Sequence, residues 1–175
     1  MIIGAGYVGL VSSACFAELG HTVLCVDTDV EKINRLNQGV MPFFEPGIGD
    51  LVSANSKTAR LVFDSSIKEG LNNVDVIFIC VGTPPKRTGQ ADLSSVFQAA
   101  EEISRNLRQY AVVVTKSTVP VGAAQKIKKI ISANYHGEYD VASCPEFCAK
   151  ARRSMILCTR IALSLARKRR ERKNG

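Results

Sequence analysis

Met1-Ile2-Ile3-Gly4-Ala5-Gly6-Tyr7-Val8-Gly9-Leu10 decides the fold. A short apolar run meets Gly-x-Gly-x-x-Gly, and a helical pattern follows over residues 8–19. The pattern predicts a strand that turns sharply into a helix. Gly4 lets the chain leave the strand, Gly6 leaves room for a pyrophosphate against the backbone, and Gly9 lets the helix sit close to the sheet. The amino end of that helix offers N–H groups without intrahelical acceptors and the positive end of the helix dipole, a combination suited to phosphate. Such a glycine pattern alone also occurs in ordinary tight turns, so its sequel matters. Gly20-His21 closes the helix, residues 22–26 have the composition of a second strand, and Asp27 stands at its carboxyl end. That is near the spacing of about 20 residues at which the ribose hydroxyls of a dinucleotide find an acceptor. With Thr28 and Asp29 rather than an arginine after Asp27, the site suits NAD over NADP, whose 2′-phosphate would meet like charge.

Further along, Asp29 can cap a helix over 30–37 that turns Ile33 and Leu36 inward and sets Lys32 near the ribose. A turn-rich stretch, 39–47, leads to a helix over 48–55, then a strand over 61–63. Ser65 or Ser66 is expected to cap a short helix ending near Leu71. Residues 74–81 form a nearly continuous apolar run, as in a strand buried on both faces of a parallel sheet, and therefore a central one. Gly82-Thr83-Pro84-Pro85 follows and places Thr83 beside the crevice. A helix over 93–106 carries Ala99 and Ile103 on one face, continued by Leu107; after it come a strand over 111–115, a helix over 123–132 and a strand over 139–143. Strands alternating with crossover helices imply an α/β fold: a doubly wound, Rossmann-type parallel sheet of six strands with helices on both faces. In such a sheet ligands sit beyond the carboxyl ends of the strands, where Gly4, Gly6, Gly9, Asp27, Thr83, Thr118 and Glu146 all fall. Glu146 is placed either for proton transfer or as an acid at a helix start. Thr118, before Val119-Pro120, suits a backbone cap or a reacting role.

The 175 residues, 46% hydrophobic and 22% charged, suit one soluble globular core. No apolar run approaches the ~18 residues of a membrane span and no leader pattern is present, so a cytoplasmic protein without a membrane partner is expected. Cysteines 15, 25, 80, 144, 148 and 158 stand singly, which argues against a metal site or a disulfide framework. The net charge of +7 is concentrated: residues 149–175 hold ten Lys or Arg against one acid, whereas residues 1–148 hold thirteen bases and fifteen acids. The body is thus mildly acidic, no nucleic-acid partner is expected, and the basic tail is expected to stand apart from the fold.

Several stretches together resemble the UDP-glucose/GDP-mannose dehydrogenase family: Gly4-Ala5-Gly6-Tyr7-Val8-Gly9-Leu10-Val11, Cys15-Phe16-Ala17-Glu18-Leu19-Gly20-His21, Phe44-Glu45-Pro46-Gly47, Val81-Gly82-Thr83-Pro84-Pro85, Thr115-Lys116-Ser117-Thr118-Val119-Pro120-Val121-Gly122 and Pro145-Glu146-Phe147. The Gly-Thr-Pro-Pro and Ser-Thr-Val-Pro-Val-Gly forms are similar to its UDP-glucose branch. The resemblance implies NAD-dependent oxidation of UDP-glucose to UDP-glucuronate, in two steps through a thiohemiacetal and a thioester on a cysteine. It further implies that Gly4, Gly6, Tyr7, Val8, Gly9 and Asp27 hold NAD, with Lys32 near its ribose and Thr83 and Thr118 lining the cofactor site. Thr118 would also order a catalytic water, and Glu146 would join the acid/base group on the substrate side.

After Phe147 the resemblance stops. The family continues Leu-Arg-Glu-Gly, whereas this chain has Cys148-Ala149-Lys150-Ala151. The family's second glutamate falls on Lys150, and none of the six cysteines lies in its nucleophile motif. Residues 147–175 can be back-translated so that the neighbouring frame continues as the family does, so loss of one base near the Phe147 codon is the expected origin of the tail. The expected organisation is an NAD-binding domain over 1–147 and an aberrant tail over 148–175, with the family's dimer helix and UDP-sugar domain absent and the chain inactive alone. A second reading is a free-standing NAD-sensing module whose tail contacts polyanions.

Overall fold

The computed structural model describes residues 1–68 and 70–144. In chain order the elements are β1 (Ile2–Ile3), α1 (Tyr7–Glu18), β2 (Val23–Val26), α2 (Val30–Asn37), α3 (Ile48–Lys57), β3 (Leu61–Asp64), a 3₁₀ turn (Gly70–Asn73), β4 (Val76–Ile79), α4 (Ser94–Asn106), β5 (Ala111–Thr115), α5 (Ala123–Ser132) and β6 (Tyr139–Ser143). All strand pairs are parallel, in the order β3-β2-β1-β4-β5-β6. This is the doubly wound sheet expected from the alternation of elements, and its order reverses between β1 and β4.

Helices cover both faces and make two cores. On one face Leu10, Ala14, Phe16 and Ala17 of α1 and Ile48 and Val52 of α3 pack on Cys25, Phe63, Phe78 and Val112; the Phe16 and Phe78 rings lie 5.1 Å apart. On the other, Val96 and Ile103 of α4 and Ile127 and Ile131 of α5 pack on Ile3, Ile77, Ile79 and Val113. Every residue of β4 and β5 is buried, whereas β3 at the edge alternates buried and exposed. A central strand is covered on both sides; an edge strand needs apolar residues on one.

Three expectations change. The apolar run 74–81 pairs only over Val76–Ile79, because ladder length follows the neighbours' register while apolarity follows burial. The helix expected after Ser65 is only the 3₁₀ turn at Gly70–Asn73. There the Asp64 carboxylate accepts from the Ser66 N–H (2.9 Å) and the Ser66 hydroxyl from the Lys68 N–H (3.3 Å), local bonds that compete with helix formation. Cys15, Cys25 and Cys80 are not disulfide-bonded, but Cys144 is. Cys25 and Cys80 are walled in by the sheet, whereas Cys144 follows the last paired residue of β6 and is only half-buried.

Candidate functional site

The first turn is built by contact. Gly4 has φ +103°, and a Cβ on it would stand 2.9 Å from the carbonyl carbon and oxygen of Cys80, so both its conformation and its neighbour require glycine. A Cβ on Gly9 would run into the Gly4 carbonyl oxygen; the close approach is first of helix to turn, then to the Cys80 side chain at 3.5 Å. A Cβ on Gly6 would meet nothing within 4 Å. That opening lies at the N-cap of α1, where no side chain caps the helix, so first-turn N–H groups are offered to a ligand.

Asp27, one residue beyond β2, faces this turn. Its Oδ2 accepts from the Ala5 N–H at 2.7 Å and from Lys32 Nζ at 2.9 Å, and its Oδ1 accepts from the Asp29 N–H at 3.0 Å. Burial raises the carboxyl pKa, but the Asp29 N–H, the Lys32 ammonium and the Ala5 N–H together outweigh it and hold the group below the ordinary aspartate range. A carboxylate offers about four acceptor positions, so one on Oδ1 is left for a ribose hydroxyl. Asp29 caps α2 through the Lys32 N–H at 3.0 Å, which brings the Lys32 side chain back over Asp27.

A cavity of about 270 Å³ gathers Gly4, Gly6, Asp27 and Lys32 with Cys80, Val81 and Gly82. An open glycine turn, an uncapped helix end and an ionised acceptor in one crevice fit the pyrophosphate and ribose of a dinucleotide. A larger cavity, about 430 Å³, lies at the opposite ends of the strands beside Phe16, His21 and Val76; it has no glycine turn and no such donor set, so the chemistry favours the smaller one.

Of the other residues singled out in the sequence, Thr83 and Thr118 come together: the Thr83 hydroxyl donates to the Thr118 carbonyl at 3.4 Å. Neither lines the 270 Å³ cavity; they stand beyond β4 and β5, farther along the row of carboxyl ends. The Ser117 hydroxyl ties the same two loops by donating to the Val81 carbonyl at 2.6 Å. Tyr7 and Val8 open α1. Glu146, Lys150 and the tail lie outside the described residues. Among the described residues no group of three or more His, Cys, Asp or Glu could hold a metal, and no helix is long and apolar enough to cross a membrane.

Two features escaped the sequence reading. The Tyr7 hydroxyl donates to Glu45 Oε2 at 3.0 Å and its ring lies 5.0 Å from Phe43, fastening the 39–47 loop to the amino end of α1. Ser95, Gln98 and Glu102 of α4 line the crevice opposite Asp27; a polar stripe at spacings of three and four was the available signal.

Sheet order, first turn and carboxylate define a dinucleotide-binding Rossmann domain. Residues 1–161 match the UDP-glucose/GDP-mannose dehydrogenase family, NAD binding domain, and the chain belongs to that family. It is 51% identical over 148 residues to the UDP-glucose 6-dehydrogenase of Rhizobium meliloti, covering 83% of this chain and 34% of that protein. It is 48% identical over 151 residues to the UDP-glucose 6-dehydrogenase of Pseudomonas aeruginosa, covering 83% and 33%. Among solved structures, a UDP-glucose dehydrogenase from Pyrobaculum islandicum superposes with a TM-score of 0.79 at 36% identity, over 83% of this chain and 35% of that one. A ternary complex of GDP-mannose dehydrogenase from Pseudomonas aeruginosa does so with a TM-score of 0.80 at 34% identity, over 87% and 37%. The chain thus spans about a third of the length of the relatives it matches.

Proposed function

We propose that residues 1–147 are the NAD-binding domain of a UDP-glucose 6-dehydrogenase, with 148–175 outside that domain, working in the cytoplasm. The observation that carries the cofactor reading is Asp27, ionised and bonded across the turn to the Ala5 N–H. Gly4, Gly6, Tyr7, Val8 and Gly9 hold the pyrophosphate against the α1 amino end, Asp27 accepts from the ribose, and Lys32 orients Asp27. Thr83 and Thr118 line the nicotinamide end, Thr118 also ordering a water, and Glu146 supplies acid/base function on the sugar side. Bound NAD supplies the hydride acceptor. The substrate assignment is supported by the names of the matched relatives at 48–51% identity; UDP-glucose is the partner it entails. The free-standing sensing module has no support among those relatives.

The chain has no Trp, so calorimetric titration is the direct test: NAD binds more tightly than NADP. Equal affinity, or tighter NADP, would mean that Asp27 does not face the ribose. These 175 residues by themselves form no NADH from NAD and saturating UDP-glucose, because none of their cysteines lies in the family's nucleophile motif and covalent capture is what permits the second oxidation. Steady turnover within about tenfold of a frame-corrected longer chain would refute that assignment, since lost positioning and nucleophile together are worth far more than the ~1.4 kcal/mol of a tenfold change.

A further inference from the structure

Ser95, Gln98 and Glu102 have no part in the assignment above, although they form a wall of its cavity. They recur along α4 at spacings of three and four and stand, with buried Ala99, opposite Asp27, Thr28 and Lys32. Val96, Ala100 and Ile103 of the same helix are buried in the core, so the polar stripe is what α4 leaves for the crevice. Gln98 Nε2 donates to Glu102 Oε1 at 3.4 Å. That contact occupies an amide hydrogen and orients the carboxylate, leaving Gln98 Oε1 and Glu102 Oε2 as acceptors. An ionised carboxylate accepts and never donates. The crevice wall facing Asp27 therefore has a chemical preference: it pairs with a group that donates and repels one that only accepts.

We propose that Glu102, oriented by Gln98, selects the purine of the dinucleotide by accepting from the exocyclic amine of adenine. This rests on the reading of the cavity as the adenosine end of the NAD site: with the ribose at Asp27, the base lies between the α2 side and α4. Adenine carries an amino donor at position 6, where hypoxanthine carries an oxygen acceptor. A site built to accept a hydrogen bond discriminates against an analogue that offers an acceptor instead, because both acceptors are then left unpaired.

The test titrates the 175-residue protein with NAD and with nicotinamide hypoxanthine dinucleotide by calorimetry. The unchanged protein should prefer NAD by about tenfold or more, the scale of one charge-assisted hydrogen bond. Glu102→Gln, whose amide can donate to the hypoxanthine oxygen, should bring the two ligands to within about threefold, mainly through tighter binding of the hypoxanthine ligand. Glu101→Gln removes the same charge from the adjacent position, where the side chain pairs with Arg105 instead, and should leave the preference intact. Binding of both dinucleotides within about twofold by the unchanged protein overturns the proposal while leaving the cofactor site standing. So does a preference that survives Glu102→Gln, or one that Glu101→Gln erodes equally. If neither dinucleotide binds, or if Asp27→Ala leaves NAD affinity unchanged, the cofactor assignment fails and this proposal falls with it.

Discussion

Asp27 concentrates the chemistry of the site in one side chain: three donors hold its two oxygens, and the remaining acceptor position is aimed by them. Asp27→Ala should weaken NAD by about 1 to 3 kcal/mol, the range for a hydrogen bond to a charged acceptor, with a smaller loss for NADP; titration of both cofactors measures the difference. Its depressed pKa also has a sign for stability. The folded carboxyl loses its proton more readily than the unfolded one, so its stabilisation is present above the unfolded value near pH ~4 and fades as pH falls through the lower folded value. Acid melts of the protein and of Asp27→Asn should converge below that window and separate above it; parallel curves would show that these bonds do not stabilise the charged form. The Lys32 pair at 2.9 Å is partly exposed, so its main effect is to orient Asp27, surface pairs being worth ~0–1 kcal/mol.

At the scale of elements, the seating of α1 depends on a hydrogen atom at Gly9. Gly9→Ala should cost about 1 to 3 kcal/mol, as overpacking does, because the added methyl meets the rigid Gly4 carbonyl; a thermal melt unchanged from the parent would contradict the close contact. In β2, burial pushes the Cys25 thiol up to about 11, the Ser13 hydrogen bond opposing and Asp27 reinforcing the shift. An acid whose folded pKa is raised destabilises the fold once the unfolded thiol ionises, so its contribution is intact below pH 9 and is lost as pH rises toward 11 and beyond. At pH 8, Cys25 and Cys80 should react with a thiol reagent far more slowly than half-buried Cys15; rapid modification of all three in the folded protein would show that the sheet opens there.

Across the whole molecule, two cores on opposite faces hold six strand ends in a row, and the crossover from β3 to β4 leaves the 270 Å³ cavity at the switch in strand order between β1 and β4. The Thr83–Thr118 and Ser117–Val81 bonds join the β4 and β5 loops beside it, so the geometry of these two loops is set by contacts between separate crossover units. Ile77, fully buried in β4, belongs to the core below them. Ile77→Ala should lower stability by ~2 to 5 kcal/mol and NAD affinity only to the extent that the fold is lost; a stable Ile77→Ala protein with poor NAD binding would show that the site depends on finer alignment of the loops.

The sequence by itself determined the glycine turn, the acid at the end of the second strand, the alternation of strands and helices, and hence the strand order and the class of ligand. These are local: each follows from residues close together in the chain, and chirality and short connections leave few ways to assemble them. Only the tertiary structure decided that Glu45 fastens to Tyr7, that Thr83 and Thr118 meet each other outside the 270 Å³ cavity, and that the Gln98–Glu102 stripe of α4 lines that cavity together with Asp27. The first two pairs are 38 and 35 residues apart, and the third depends on how a helix is rotated over the sheet, which buried side chains such as Val96 and Ile103 settle by packing. The same cause explains the strand ends: apolarity marked 74–81 as buried, but only the register against β1 and β5 limited pairing to Val76–Ile79.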